Sequence, residues 1–228
     1  MPHLFLTSIL QFLIDLDTRL FLYLNAHHNM FWDVFMFHYS SKWVWVPLYL
    51  SITYVIARNF SWRAALICLV AGVCLVVITD QVASSLLRPI IGRLRPSNLQ
   101  NPISDMVHIV DGYRGGRFGF PSAHSANSWG LAFFILYLFR SHKLTVFLCF
   151  WATINCYSRI YLGVHYLGDL LIGMLVGFTS ASVVYHIFQR ITHYQRPPEI
   201  KGVYLPIYVG FAIMAFLLIL STYQTVQT

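Results

Sequence analysis

Ser158-Arg159-Ile160-Tyr161-Leu162-Gly163-Val164-His165-Tyr166-Leu167-Gly168-Asp169 joins two long apolar stretches, 144–160 and 167–187, and sets an arginine, a histidine and an aspartate within twelve positions. Apolar runs of this length approach the roughly 20 residues needed to cross a bilayer, so the segment reads as a polar junction between two membrane helices. Asp169 follows His165 by four residues. If the segment opens a helix, the two share a face, and the carboxylate can fix the imidazole tautomer while the other ring nitrogen attacks. Arg159 adds a permanent planar cation suited to phosphoryl oxygens.

The rest of the chain supports a membrane setting. Of 228 residues, 57% are hydrophobic and 10% charged, and the mean hydropathy is +0.63; soluble domains carry about 25% charged residues. Spans are expected near 43–57, 64–87, 123–139, 144–160, 167–187 and 203–221. The fold class is therefore all-α and integral to the membrane, a single domain over 1–228 with about six transmembrane helices. The formal charge of +7 does not point to nucleic acid, because the arginines gather at span ends rather than over a soluble face. Arg58 with Arg63, Arg140 with Lys143, and Arg190, Arg196 and Lys201 mark three short loops on one side of the six-span arrangement. By the positive-inside rule that side is cytoplasmic. The long loop 88–122 then lies outside, and its Arg88, Arg93, Arg95, Arg114 and Arg117 run against the rule. Phosphate recognition gives them a reason to be there.

Residues 1–40 read as an interfacial amphipathic helical region, because Asp15, Asp17 and Arg19 interrupt the apolar run from Leu4 to Ile14. No signal peptide is expected, since no Lys or Arg precedes that run. Cys68, Cys74, Cys149 and Cys156 fall in expected spans and read as packing residues. Neither a metal nor another cofactor is expected: no HExxH or DxD pattern occurs, and Asp111 is not paired with a second carboxylate.

Two upstream blocks complete a signature with the first. They are Arg88-Pro-Ile-Ile-Gly-Arg-Leu-Arg-Pro96 and Pro121-Ser-Ala-His124. Together the three resemble the type-2 phosphatidic acid phosphatase superfamily: a basic residue seven positions before Arg-Pro, then Pro-Ser-Gly-His, then Ser-Arg-x5-His-x3-Asp. Arg88, Arg95 and Pro96 match the first block, Pro121, Ser122 and His124 the second, and Ser158, Arg159, His165 and Asp169 the third. The resemblance covers residues 80 to 170 or so. This chain has Arg88 where the family usually has lysine and Ala123 where it usually has glycine, which keeps every charge but alters donor geometry and backbone approach.

The resemblance implies that His165 attacks phosphorus to give a phosphohistidine, that Asp169 orients it and that His124 protonates the leaving oxygen. Residue types alone would let His124 and His165 exchange roles. Arg88, Arg95 and Arg159 are the expected clamp on the phosphoryl oxygens, with Ser122 and the amides near Ala123 offering the N-terminus of a helix to the anion. Arg93, Arg114 and Arg117 match no family position and stay outside the catalytic set. Asp80 is expected to pair with a clamp arginine, and Ser158 to support the site.

The expected activity is hydrolysis of a phosphomonoester or pyrophosphate on an amphiphile held in the bilayer. Family members act on undecaprenyl pyrophosphate, phosphatidylglycerol phosphate, phosphatidic acid, lipid A phosphates and sugar phosphates. The sequence does not choose among them. A lipid phosphotransferase using the same intermediate, or a non-catalytic lipid-phosphate binding or transport protein, are the other readings. The expected location is a bacterial inner membrane with the site facing the periplasm or the exterior.

Overall fold

A computed structural model describes residues 2–227, with side chains from Thr7 onward. Among the described residues it is all-helical, and the one strand-like feature is an isolated bridge between Leu94 and Phe118. Helix α1 spans Pro2–Asn25, α2 Met30–Tyr39, α3 Val46–Asn59 and α4 Trp62–Asp80. A π-helical stretch, Gln81–Leu87, carries α4 on into the short α5, Arg88–Ile91. After a long loop come α6 (Ala123–Phe139), α7 (His142–Tyr161), α8 (Leu167–Thr192) and α9 (Leu205–Gln227). Each expected span therefore falls on a helix.

Three helical segments are both long and apolar enough to cross a membrane: Trp62–Ile91, Leu167–Thr192 and Leu205–Gln227. The others differ for visible reasons. α3 has 14 residues and α6 has 17, short of the roughly 20 a bilayer asks for, while α7 has the length but carries His142, Lys143, Asn155 and Arg159. Apolar side chains face outward along the three long segments, among them Val70, Val73, Val77, Leu175, Val183, Ile187, Phe216 and Ile219. So large an exposed apolar surface is what lipid tails would cover. Cys68 is buried, but Cys74 lies on this outward surface rather than in the core.

Local chemistry sets the helix ends that matter. Ser122 caps α6 in an extended conformation, its hydroxyl accepting the Ser125 N–H at 3.4 Å. Asp169, third in α8, accepts the backbone N–H of Tyr166 at 3.1 Å and closes that helix start. The two helices run parallel and in step. Ser122 N–H donates to the Asp169 carbonyl at 3.0 Å, the Ser125 hydroxyl to the Leu170 carbonyl at 2.6 Å, and further along Phe133 meets Phe178 and Tyr137 meets Ser182. Glycines allow this closeness: a Cβ on Gly177 would lie 2.5 Å from the Ala126 carbonyl oxygen and 2.8 Å from the Gly130 nitrogen. Small residues four apart on α8, Gly173 and Gly177, thus set the α6 and α8 N-termini side by side.

The opposite end gathers the three short basic loops. Asn59 exchanges hydrogen bonds with the Lys201 backbone at 2.9 and 2.8 Å, the Tyr194 hydroxyl donates to the Leu138 carbonyl at 2.8 Å, and Phe60 packs on Phe139, Phe188 and Tyr194. The three short basic loops therefore meet at one end of the bundle, and the three motif blocks meet at the other.

Candidate active site

The first arginine block folds in two conformations. Arg88 ends the π-helical stretch and opens α5, which Gly92 terminates in the left-handed region at φ 63°. The chain then extends, with Leu94 bridged to Phe118. Alternation in extended chain sends Arg93 and Arg95 to one side, and both reach the His165 segment.

His165 is buried, with 1% of its side chain exposed, and is held from both ring nitrogens. Nδ1 lies 3.2 Å from Asp169 Oδ2 and Nε2 lies 3.0 Å from an Nη of Arg95. Guanidinium can only donate, so Nε2 is the acceptor and Nδ1 carries the proton given to Asp169. That tautomer puts the ring's lone pair on Nε2. Burial, and then Arg95, Arg159 and Arg88, hold the imidazole well below its usual 6.5, keeping it neutral. Asp169 is fully buried and accepts from His165, the Tyr166 amide and Arg93.

The clamp arginines are fixed by other parts of the chain. Arg95 donates from Nε to the Phe118 carbonyl at 3.1 Å and from Nη to the Val164 carbonyl at 3.0 Å. Burial, and then repulsion from Arg159 and Arg88, draw its guanidinium down to about 10, so it remains charged at neutral pH. Arg159 donates to the Ser40 hydroxyl and, at 3.0 Å, to the Tyr113 hydroxyl. Burial raises the Tyr113 phenol, but the charge and hydrogen bond of Arg159, with Arg95 behind them, bring it net below its usual value. Arg88 reaches the Pro121 carbonyl at 3.3 Å. Among the described residues the Nε groups of Arg88 and Arg159 are buried with no hydrogen-bond partner. Arg93 pairs with Asp169 and Asp17, while Arg95, Arg159 and Arg88 add three further cations around His165. The surplus is positive.

His124 stands exposed at the first turn of α6. It has no hydrogen-bond partner among the described residues and lies within electrostatic reach of Arg159, His165, Arg95 and Arg88. Its freedom contrasts with His165, which is held from both ring nitrogens.

Two expectations change in detail. Ser122 is not one of them: its N–H donates to the Asp169 carbonyl, but its hydroxyl only accepts from the Ser125 N–H and keeps its own proton to give, beside the Ala123 and His124 amides, which have no backbone acceptor among the described residues. Asp80 forms no ion pair with a clamp arginine among the described residues; it accepts from the Ser84 hydroxyl at 3.5 Å and acts on Arg88 only through longer-range attraction. The Ser158 hydroxyl donates to the Asn155 carbonyl of its own helix at 2.7 Å and is fully buried, so its part is in packing.

Some residues of the site were not singled out. Arg93 was set aside with Arg114 and Arg117, yet only Arg93 reaches Asp169; Arg114 instead braces the loop through the Ser97 carbonyl at 2.6 Å, and Arg117 lies over Phe118. Asp17 bonds Arg93 at 2.7 Å from the N-terminal helix. Gly119 lies so close that a Cβ there would stand 2.9 Å from Asp169 Oδ2. The extended alternation after Gly92 could have found Arg93; the partners Asp17, Ser40 and Tyr113 have no local signal.

This arrangement belongs with known proteins. A family model described as the PAP2 superfamily matches residues 65–193. The chain is 44% identical over 225 residues to a lipid A 4'-phosphatase of Bacteroides thetaiotaomicron, covering 95% of this chain and all of the relative. It is 34% identical over 179 residues to a lipid A 4'-phosphatase of Porphyromonas gingivalis, covering 78% of this chain and 75% of that one. The crystal structure of Aquifex aeolicus LpxE is similar in fold, with a TM-score of 0.57 and 23% identity over 75% of this chain and 95% of that one. The chain belongs to the PAP2 superfamily.

Proposed function

We propose that this membrane lipid phosphatase removes a phosphate from lipid A, or from a closely similar phosphorylated glycolipid, through a phosphohistidine on His165. The observation that carries the chemistry is the buried imidazole fixed between Asp169 and Arg95, with the Nε2 lone pair facing the Arg95 guanidinium. In the first step Arg95 exchanges Nε2 for a phosphoryl oxygen, Nε2 forms a bond to phosphorus, and the P–O bond to the lipid breaks. His124 gives its proton to the departing oxygen. In the second step His124 takes a proton from water, whose oxygen attacks phosphorus and releases inorganic phosphate and free His165. Arg88, Arg95 and Arg159 spread the charge of the transition state without a metal.

The substrate reading rests on the relatives, both lipid A 4'-phosphatases, one of them similar along almost the whole chain. The membrane reading adds α3, α6 and α7 to the three long apolar segments to make six spans, with α1 at the interface. Because the basic loops converge at the far end, the positive-inside rule sets the site on the periplasmic face of an inner membrane. The test is phosphate release by purified protein from lipid A, undecaprenyl pyrophosphate, phosphatidylglycerol phosphate and phosphatidic acid, each with and without excess chelator. Lipid A should have the highest kcat/KM, unchanged by chelator. Preference for another lipid would overturn the substrate, and loss restored by magnesium or zinc would overturn the mechanism.

A further inference from the structure

One stripe of α1 grips the His165 segment. Asp17, Phe21 and Asn25 recur every four residues and so share a face. Asp17 Oδ1 accepts the Gly168 N–H at 2.9 Å, Phe21 packs edge-on against Tyr166 with ring centroids 5.2 Å apart, and Asn25 donates to the carbonyls of Ile160 at 3.1 Å and Tyr161 at 2.9 Å. The nucleophile's loop is thus held on both sides by a helix outside the residues that the family model matches.

Asp17 also shares an arginine with the catalytic carboxylate. The same Nη1 of Arg93 lies 2.7 Å from Asp17 Oδ2 and 3.1 Å from Asp169 Oδ1, and the guanidinium lies flat enough over Tyr166 to approach its ring centre to 3.8 Å. Asp17 and Arg93 are mostly buried, at 14% and 22% exposure, so solvent screens this network less than a surface pair. A side chain on Gly168 would collide with Asp17 Oδ2 at 2.8 Å, so glycine is needed there for the carboxylate to approach. Arg93 has its charge divided between two acids and is stacked on an aromatic ring, which removes it from the phosphate clamp.

We propose that Asp17 is a positioning residue of the phosphatase reaction: through Arg93 and the first turn of α8 it holds Asp169 in register with His165. The proposal rests on His165 as nucleophile. It makes the N-terminal helix part of the catalytic apparatus rather than only a membrane anchor.

Steady-state kinetics of the full-length protein on lipid A in mixed micelles tests this, with Asp17→Asn, Asp17→Glu, Arg93→Lys and Arg93→Gln. Asp15→Asn is the control, because it removes the same charge from the same helix at a residue that accepts a hydrogen bond from the exposed Gln11. Asp17→Asn should lower kcat about tenfold with KM within about twofold, since geometry and not binding is lost. Arg93→Gln should lose at least as much, Arg93→Lys should recover part of it, and the double variant Asp17→Asn with Arg93→Gln should be no worse than Arg93→Gln alone. Asp17→Glu keeps the charge and should fall between parent and Asp17→Asn, which supplies the answer if the amide variant does not fold. His165→Ala, run in parallel, separates two failures. If it retains activity, the nucleophile assignment falls; if it is inactive while Asp17→Asn matches Asp15→Asn and the parent, the positioning role is overturned. A rise in KM alone in Asp17→Asn would also overturn it, by making Arg93 a binding group.

Discussion

Replacing Gly119 with alanine should disable the site by adding one methyl group. An ideal Cβ at Gly119 lies 2.9 Å from Asp169 Oδ2, 3.2 Å from Arg95 Cγ and 3.5 Å from His165 Nδ1. The first contact is about 0.6 Å short of a comfortable non-bonded separation near 3.5 Å. Backbone conformation adds no cost, since Gly119 is not among the positive-φ glycines. The Gly119 segment cannot easily retreat, because its N–H donates to the Arg93 carbonyl at 2.9 Å and the adjacent Phe118 carbonyl holds Arg95. The carboxylate must yield instead, and moving Oδ2 by that amount directly away from the new Cβ takes the 3.2 Å Nδ1 to Oδ2 contact to about 3.4 Å, past the range of a good N–H···O bond. Hydrogen bonds to charged groups are worth about 1.5–3 kcal/mol, which corresponds to a loss of roughly ten- to hundredfold in kcat. Gly116→Ala is the internal control, as its Cβ would meet nothing within 4 Å. Phosphate release from lipid A should show Gly119→Ala down by that factor, with Gly116→Ala unchanged. A Gly119→Ala enzyme with parental kcat would refute the placement of Asp169 against His165.

Other outcomes follow from the same geometry. Arg88→Ala removes a half-buried guanidinium and should cost about tenfold or more in kcat/KM, about 1.4 kcal/mol per decade, while Arg88→Lys should keep most activity; an alanine variant as active as the parent would remove Arg88 from the clamp. Burial and three cations disfavour the imidazolium of His165, so lowering the pH through 6.5 should not protonate the nucleophile. With the titration of the substrate phosphate divided out, kcat/KM should stay level there, and Arg95→Gln, which removes one repelling cation, should move the acid limb to higher pH; a limb already centred at 6.5 that Arg95→Gln leaves in place would contradict this. A cysteine at Leu99, 73% exposed in the motif loop, should react with an impermeant thiol reagent in intact spheroplasts of a background lacking the native cysteines. One at His142, exposed at the basic end, should react only after lysis, and the reverse pattern would invert the orientation.

Much of the site was legible because its chemistry is local. Ser122 and Asp169 cap the helices that carry the catalytic groups, so the expected 123–139 helix coincides with α6, and the spacing of His165 and Asp169 becomes a hydrogen bond. What stayed hidden depends on contacts distant in sequence. Asp17 is 76 residues from Arg93 and 151 from Gly168, and in the chain it registers only as a charge interrupting an apolar run. Arg93 matches no position of the family signature, and its place in the site follows instead from the two-residue alternation after Gly92. Six spans were counted on apolarity, whereas length and composition together select three, since the helices nearest the site carry polar residues such as Asn155 and Arg159 for it.

The central claim is that His165, and not His124, takes the phosphoryl group. Rapid acid-free quenching of the His124→Ala enzyme with 32P-labelled lipid A tests it most directly, because loss of the proton donor and acceptor should slow hydrolysis of the intermediate. The account predicts an acid-labile, base-stable label on the peptide containing His165, absent from the His165→Ala enzyme. A label on another residue in the parent protein, or phosphate release by His165→Ala at the parental rate, would contradict it.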